Sequence, residues 1–218
     1  MNRPIRSYVL RQGRTTPAQR RALEELYPKY GIAFSTAPIT SARKLVLEIG
    51  SGMGETTVAI AKAHPHVDFV AVEVHGPGVG SLLNAIEREK LTNLRVIRHD
   101  ALEVLEHMIA DAALAAIHLF FPDPWPKKRH HKRRLVQPEF VALAARKLAP
   151  GGIFHAATDW PDYADYMERV FAREPLLERS ARAFTERPTT KFESRGRRLG
   201  HPVRDLVFRR REKEPGAR

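Results

Sequence analysis

The feature that most constrains the fold is a buried strand that runs into a glycine turn and then a helix. Leu45 to Ile49 is apolar apart from Glu48, and Gly50-Ser-Gly52-Met-Gly54 follows at once. The next residues, Glu55 to His64, are predicted to form a helix that ends at Pro65. Glycines at such a junction let the backbone approach a ligand closely. The junction therefore predicts an α/β fold with a ligand at the carboxyl end of this strand.

Predicted strands and helices alternate along the rest of the chain, which indicates a doubly wound, mostly parallel, seven-stranded sheet. A capping box at Thr16-Pro17-Ala18-Gln19 opens the first helix, to about Tyr30, and a glycine-rich turn (Gly76, Gly78, Gly80) precedes another at Ser81 to Lys90. We expect a basic N-terminal arm and helix over residues 1–43, one α/β domain over residues 44–213 and a tail over residues 214–218. The other predicted strands are Asp68 to Val74, Leu94 to His99, Ala115 to Phe121, Ile153 to Thr158, Leu177 to Phe184 and Val203 to Arg209. The other predicted helices are Ala101 to Ala110, Pro138 to Leu148 and Trp160 to Arg173.

The charge is distributed unevenly around a formal net value of +12. Residues 48–126 hold 11 acidic and 5 basic side chains, whereas the two flanks together hold 32 basic and 14 acidic ones. This pattern predicts that the edges of the molecule bind a polyanion, and it favours nucleic acid over an anionic membrane. The absence of cysteine excludes thiolate zinc sites and thiol nucleophiles. With no apolar run near 18 residues and no signal-peptide core, we expect a soluble, cytoplasmic protein.

A second constraint on function is the stretch from Phe120 to Arg134. Prolines at positions 122, 124 and 126 force the chain out of its strand as a stiff turn that holds Asp123 and Trp125. Six of the eight residues that follow the third proline are Lys or Arg. A carboxylate and an indole beside a basic run indicate a nucleobase pocket next to a phosphate-binding surface. The alternative is a strand end followed by a solvated charge run.

Four carboxylates fall on or at the ends of consecutive predicted strands: Glu48, Glu73, Asp100 and Asp123. Glu55 stands where a dinucleotide site would have glycine, so a ligand without phosphates fits better. At its strand end Glu73 is placed to accept both hydroxyls of a ribose, and Asp100 to accept an adenine amino group. S-adenosylmethionine supplies an ammonium and a sulfonium that this acidic pocket would complement. Taken singly, each carboxylate could instead be a helix cap or a surface charge.

Four motifs resemble bacterial tRNA (guanine-N7)-methyltransferases over about Arg6 to Arg209. They are Leu-Glu-Ile-Gly-Ser-Gly-Met-Gly, Val-Glu-Val-His-Gly-Pro-Gly-Val-Gly, Phe-Pro-Asp-Pro-Trp-Pro-Lys-Lys-Arg-His and Thr-Lys-Phe-Glu. The third is highly specific, and the first is generic for class I methyltransferases. The resemblance implies the class I methyltransferase fold and methylation of guanine 46 in the tRNA variable loop. The chain departs from the family pattern at Ser51 and His131.

The resemblance also implies roles for particular residues. Asp123 would be catalytic, and the methyl donor S-adenosyl-L-methionine would contact it together with Glu48, Gly50, Gly52, Glu73 and Asp100. The substrate would contact Lys127, Asp159, Thr190, Lys191, Phe192 and Glu193. The RNA backbone would contact Arg129, His130, His131, Lys132, Arg133 and Arg134.

Several of these side chains have other possible roles. Trp125 could anchor the core or present a stacking face to a base. His130 and His131 are adjacent and lack metal-ligand spacing, so no metal is predicted. Asp159 could simply cap the following helix. We expect a monomer or a homodimer with tRNA as its partner.

Two other functions compete with N7 methylation of guanine. Methyltransferases that act on an exocyclic amine share an Asp/Asn-Pro-Pro-aromatic motif, but Asp123-Pro124-Trp125 lacks the second proline. A non-catalytic RNA-binding subunit on the same scaffold would have lost pocket carboxylates, and this chain keeps all four.

Overall fold

The fold is a seven-stranded sheet in the order β3-β2-β1-β4-β5-β7-β6. The computed structural model describes residues 7–8, 13–189, 193 and 202–212. Strands β1 to β5 run parallel to one another, whereas β7 runs antiparallel to both β5 and β6. The predicted mostly parallel, doubly wound sheet is therefore confirmed. The strands are β1 (Leu45–Ile49), β2 (Asp68–Val72), β3 (Leu94–Ile97), β4 (Leu114–Phe120), β5 (Leu148–Thr158), β6 (Leu177–Arg179) and β7 (Arg204–Arg210).

Helices cover both faces of the sheet, and the sheet separates the core into two apolar clusters. All five residues of β1 are buried, as expected for a central parallel strand with helices on both sides. In the described part of the chain, every helix is too short or too polar to cross a membrane. The helices are α1 (Pro17–Arg21), α2 (Tyr27–Tyr30), α3 (Glu55–Ala63), α4 (Gly76–Glu89), α5 (Ala101–Met108), α6 (Pro138–Lys147) and α7 (Pro161–Ala172).

Helix α4 begins five residues before its predicted start. The prediction that a glycine-rich turn precedes this helix is therefore wrong. Gly76, Gly78 and Gly80 form its first turns instead. A Cβ at Gly78 would lie 2.5 Å from the carbonyl oxygen of Gly52, and one at Gly80 would lie 2.6 Å from that of Gln19. These glycines are therefore needed for close packing of backbones rather than for a turn.

Strand β5 also begins earlier than predicted. It starts at Leu148, directly after α6, and the Pro-Gly-Gly sequence at 150–152 lies inside it. The register with β4 shifts between Leu114 and Ala116, so this irregular stretch is accommodated before Ile153 pairs with Ala116. The late strand predicted at Leu177 to Phe184 is shorter than expected and ends at Arg179.

The N-terminal helical segment packs against α4. The predicted capping box is confirmed, because Thr16 Oγ1 accepts the amide of Gln19 and the side chain of Gln19 accepts the amide of Thr16. A π-helical turn at Ala22–Leu26 joins α1 to α2. Tyr30 is buried and its hydroxyl bonds to Glu87 of α4. This packing holds the segment beside the glycine turn that follows β1.

Candidate active site

A cavity of about 220 Å³ lies where the carboxyl ends of β1, β2 and β4 meet. Parallel strands bring their carboxyl ends to one edge of a sheet, which is where ligands bind in this architecture. Two residues of the N-terminal arm, Ser7 and Tyr8, form part of its wall. The wall also includes residues predicted for the donor or the catalytic turn, namely Gly50, Glu73, Phe121, Pro122 and Asp123.

Glu73 is the most firmly placed of the predicted donor-binding carboxylates. It follows β2, is 8% exposed, and accepts the amides of Gly52 and His75 at 2.8 Å each, one on either carboxylate oxygen. Each oxygen keeps a second lone pair. The fixed carboxylate can therefore accept a pair of vicinal hydroxyls, as the sequence predicted.

The glycine turn provides the other side of this subsite. Gly50 and Gly52 adopt φ angles of 74° and 56°, in the left-handed region that glycine enters without strain. A Cβ added at either residue would meet no heavy atom within 4 Å, so open space lies beside the backbone. A ligand can approach the turn here.

Glu48 and Asp100 are placed less directly on the cavity. Glu48 is 3% exposed and its Oε1 accepts the hydroxyl of Thr57 at 2.8 Å, while its Oε2 has no partner among the residues that the structure describes. Burial raises the pKa of Glu48 to about 7. Asp100 caps α5 by accepting the amide of Leu102 at 2.8 Å. A helix cap was the alternative to donor binding that the sequence allowed for this residue. Its neighbours His99 and Ala101, rather than Asp100, line the cavity.

The residues present fit the methyl donor that the resemblance implies. Glu73 offers an acceptor pair for hydroxyls, and the turn at Gly50 and Gly52 leaves room for a close approach. The unpartnered Oε2 of Glu48 is a buried acceptor that a cationic group would satisfy.

Asp123 projects from a strained turn at the end of β4. Phe121 and Trp125 adopt φ angles of 54° and 45°, which are costly for residues with a side chain. Among the described residues, no hydrogen bond or ion pair engages the Asp123 carboxylate. Partial burial in the cavity wall raises its pKa. The turn therefore holds a carboxylate ready for a ligand rather than for a protein partner.

Trp125 has a role that sequence reasoning left open. Its indole N–H donates to the carbonyl oxygen of Ser7 at 3.2 Å, so it joins the turn to the N-terminal arm. The guanidinium of Arg133 lies 4.9 Å from the ring centroid, and His130 packs edge-on at 5.8 Å. The ring is only half-buried, so it is not a core anchor. It already has neighbours in the protein, so these contacts do not favour a free stacking face for a base either.

The basic stretch after the turn forms a 3₁₀ helix at Lys128–Arg133. Burial and the surrounding cations lower the pKa of His130, which favours its neutral form. His131 is half-buried, and its imidazole lies 3.1 Å from the guanidinium of Arg134. Of the residues predicted to contact the RNA backbone, Arg129, Lys132 and Arg133 are exposed, and Lys127 and Lys128 are exposed beside them.

The prediction that Arg134 contacts RNA is wrong. Its side chain is 1% exposed and donates to Asp162 at 2.6 Å and to the carbonyl oxygen of Pro124 at 2.9 Å. Its guanidinium also lies over the rings of Tyr163 and Tyr166. Arg134 therefore fixes the turn that carries Asp123 against α7 instead of reaching a phosphate.

The predicted substrate residues are only partly brought together. Asp159 is exposed at the end of β5 and is not a helix cap, since Trp160 occupies the cap position of α7. Thr190, Lys191 and Phe192 lie outside the described residues. Glu193 is described, but its side chain is 1% exposed and contacts Arg187. This burial leaves no accessible carboxylate for a direct contact with RNA.

Arg187 is the residue beside the site that sequence reasoning missed. It contacts Glu193 and Asp205, and its guanidinium lies 5.3 Å from the ring centroid of Phe121. A cation six residues before a predicted substrate carboxylate was a weak signal that could have drawn attention to it.

Solved structures with this architecture are methyltransferases. The 16S rRNA methyltransferase KamB matches with a TM-score of 0.54 and 17% identity, over 93% of this chain and 96% of that one. TrmN from Thermus thermophilus matches with a TM-score of 0.56 and 17% identity, over 88% of this chain and 48% of that one. At such low identity the likeness shows the fold alone. The fold is that of the class I methyltransferases.

Sequence relatives identify the family. Residues 42–206 match the Methyltransf_4 family model, described as "Putative methyltransferase". The tRNA (guanine-N(7)-)-methyltransferase of Nitrosomonas eutropha is 57% identical over 94% of this chain and 96% of its own length. The enzyme of that name from Aromatoleum aromaticum is 56% identical over 96% of this chain and 85% of its own length. This chain belongs to the tRNA (guanine-N(7)-)-methyltransferase family, whose methyl donor is S-adenosyl-L-methionine.

Proposed function

We propose that this protein transfers a methyl group from S-adenosyl-L-methionine to N7 of guanine 46 in the variable loop of tRNA, in the cytoplasm. The observation that carries the proposal is Asp123, an accessible carboxylate in a strained turn, in the same cavity as Glu73. Family membership supports the nature of the substrate.

The donor-binding residues are the glycine turn and the carboxylates around it. Glu73 holds the ribose hydroxyls, and the backbone at Gly50 and Gly52 lies against the ligand. Glu48 and Asp100 contribute acceptors from β1 and from the cap of α5. When bound, the donor supplies an electrophilic methyl group on a sulfonium.

The substrate needs no general base, because guanine N7 carries a free in-plane lone pair. The task of the protein is therefore to hold the base in line, and most of the rate gain comes from positioning. The Asp123 carboxylate accepts from guanine N1–H and the exocyclic amine. It also stabilises the positive charge that develops on the ring.

RNA binding falls to the exposed cations that follow the turn. Lys128, Arg129, Lys132 and Arg133 lie on the 3₁₀ helix next to Asp123, so phosphates bound there place the variable loop over the cavity. Lys127 and Asp159 stand nearer the sheet edge and contact the nucleotide itself. Because N7 of this guanine takes part in tertiary contacts in folded tRNA, the base must be drawn out.

Nucleoside analysis of tRNA after incubation with the donor tests the proposal. We expect one N7-methylguanosine per tRNA, mapped to position 46, and none when that guanosine is replaced by adenosine. Methyl groups on an exocyclic nitrogen would overturn the assignment. Donor binding without any methylation of tRNA would show that the protein acts on another substrate.

A further inference from the structure

Arg187 is held by two carboxylates close to the catalytic turn. Its side chain is 6% exposed, and its Nη1 contacts Glu193, whose side chain is 1% exposed. Its Nε and Nη2 donate to the two oxygens of Asp205 at 3.1 Å each. Such a bidentate pair fixes the plane of a guanidinium as well as its position.

Asp205 in turn links Arg187 to two strands of the sheet. It lies on β7 and accepts from Nε2 of His155 on β5 at 2.8 Å. Although burial opposes this, the hydrogen bonds from His155 and Arg187 hold the pKa of Asp205 well below its usual range. Arg187 is therefore fixed to a carboxylate that stays ionised and belongs to the rigid sheet.

The other side of the guanidinium faces the start of the catalytic turn. It lies 5.8 Å from the ring centroid of Phe120 and 5.3 Å from that of Phe121. Phe121 lines the cavity, has the positive φ angle, and stands two residues before Asp123. Its amide donates to the carbonyl oxygen of Ala157 at 2.7 Å. The guanidinium thus packs against the residue whose backbone sets the direction of the turn.

We infer that Arg187 is a positioning residue for methyl transfer, which keeps Phe121 and the Asp123 turn in place through its contacts with Glu193 and Asp205. The inference rests on the proposed function. Thr190, Lys191 and Phe192, assigned to the substrate by resemblance, lie in the sequence between the two partners of the Arg187–Glu193 ion pair. Glu193 accordingly acts through Arg187.

The test compares Arg187→Lys with a matched control, Arg179→Lys. Lysine keeps the charge near both carboxylates but cannot form the bidentate pair and cover Phe121 together. Arg179 also pairs with a carboxylate, Glu168 at 2.6 Å, and lies over a ring, Phe208 at 5.2 Å, but that ring, unlike Phe121, lines no part of the cavity. Measurements are the single-turnover methylation rate at saturating donor and tRNA, the donor Kd and the melting temperature.

We expect Arg187→Lys to lower the single-turnover rate roughly tenfold or more, the scale expected when a reacting group is misplaced by a fraction of an ångström. The donor Kd should stay within about threefold of the wild type, and Arg179→Lys should keep the full rate. An unchanged rate in Arg187→Lys would overturn the inference, as would a loss explained by weaker donor binding.

A second variant covers the case in which Arg187→Lys does not fold. Arg187→Met combined with Glu193→Gln removes both charges of the buried pair and leaves Asp205 bonded to His155. The double variant should show the same loss of rate, and full activity in it would also overturn the inference. Wild-type protein that makes no N7-methylguanosine would refute the proposed function itself. Equal rates in wild type and Arg187→Lys would refute only the role of Arg187.

Discussion

Trp125 donates its indole N–H to the backbone carbonyl oxygen of Ser7 across 3.2 Å, joining the Asp123 turn to the N-terminal arm. Ser7 and Tyr8 both line the cavity. A second tie lies further along the arm, where the amide of Gly13 meets Nε2 of His75 at 3.3 Å. The wall of the cavity therefore depends on contacts between segments that are 118 and 62 residues apart in the sequence.

Trp125→Phe should weaken donor binding about three- to tenfold, the effect of losing one neutral hydrogen bond. Phenylalanine keeps a ring beneath Arg133 but cannot hold Ser7. Calorimetric titration with the donor measures the change. Trp160→Phe, an exposed indole on another strand end, is the control and should bind normally. Equal affinity in Trp125→Phe would mean that the arm contributes nothing to the donor site.

Glu73→Ala should reduce donor affinity tenfold or more, about the effect of one hydrogen-bond partner that carries charge. The substitution also leaves the amides of Gly52 and His75 without their acceptor. Glu73→Gln keeps the shape and one acceptor oxygen, so its loss should be smaller. Isothermal titration in the absence of RNA gives both values, and unchanged affinity would place the ribose elsewhere.

Replacing Lys128, Arg129 and Lys132 together by Gln should flatten the plot of log K for tRNA against log[salt] by about 2 to 3 units, if all three contact phosphates. Arg134→Met is the matched control, since this buried arginine has structural partners only. It should lower the melting temperature and leave the slope unaltered. An unchanged slope in the triple variant would assign the basic helix to solvent.

Asp123→Ala should lower kcat/KM roughly 10² to 10³-fold, the usual effect of losing one preorganised electrostatic partner. Affinity for tRNA should scarcely change, because phosphate contacts dominate it. Asp123→Asn keeps the shape and should also be slow.

The pH profile provides an independent check on Asp123. Burial raises the pKa of Asp123. As the pH is lowered, the rate should therefore begin to fall at a higher pH than the pKa of an ordinary aspartate would give, because the carboxylate takes up a proton. Above that pKa the rate should be flat to about pH 9, because no base has to be deprotonated. A basic limb in single-turnover rates, or full activity of Asp123→Asn, would contradict the proposed role.

Glu48 should make the ligand-free protein less stable at high pH than at low pH. Its carboxyl ionises near 4.5 in the unfolded chain but only near 7 in the folded one, because of burial. The folded state thus binds more protons between these values, and stability falls as pH rises through them, by on the order of 3 kcal/mol at most.

Urea unfolding of the wild type and Glu48→Gln at pH 5 and pH 8 measures this effect. The side-chain amide introduced at position 48 keeps an oxygen that accepts from Thr57. The difference in unfolding free energy between the two proteins at pH 5 gives the cost of burying that amide. We expect Glu48→Gln to gain stability relative to the wild type between pH 5 and pH 8. An equal pH dependence in both proteins would show that Glu48 ionises normally.

The sheet could be predicted because its central strands are apolar runs with glycine or proline at their ends. Glu73 and Asp123 were also predictable, since each follows such a run and strand ends meet at one edge. The start of α4 could not be predicted in the same way. Its glycines satisfy close contacts with Gly52 and Gln19, which are distant in sequence and invisible to local patterns.

The local sequence also could not predict which cations are buried. Arg134 belongs to a basic run like its neighbours, but Asp162 and two tyrosines lie over it once α7 is in place. Arg187 gained its importance in the same way, through Asp205 on β7. In both cases a partner from a later segment decides whether a charge faces RNA or the interior.

The position of β7 between β5 and β6 has a consequence for how the protein is synthesised. In the part of the chain that the structure describes, β6 pairs with β7 alone, and the outer edge of β5 is covered only by β7. While a ribosome is translating the chain, β5 must therefore wait with an unpaired edge until residues 204–210 have emerged. Such edges are templates for pairing with other nascent chains. The interval between the synthesis of β5 and that of β7 is therefore a period in which the growing chain is exposed to aggregation and in which a chaperone would protect it.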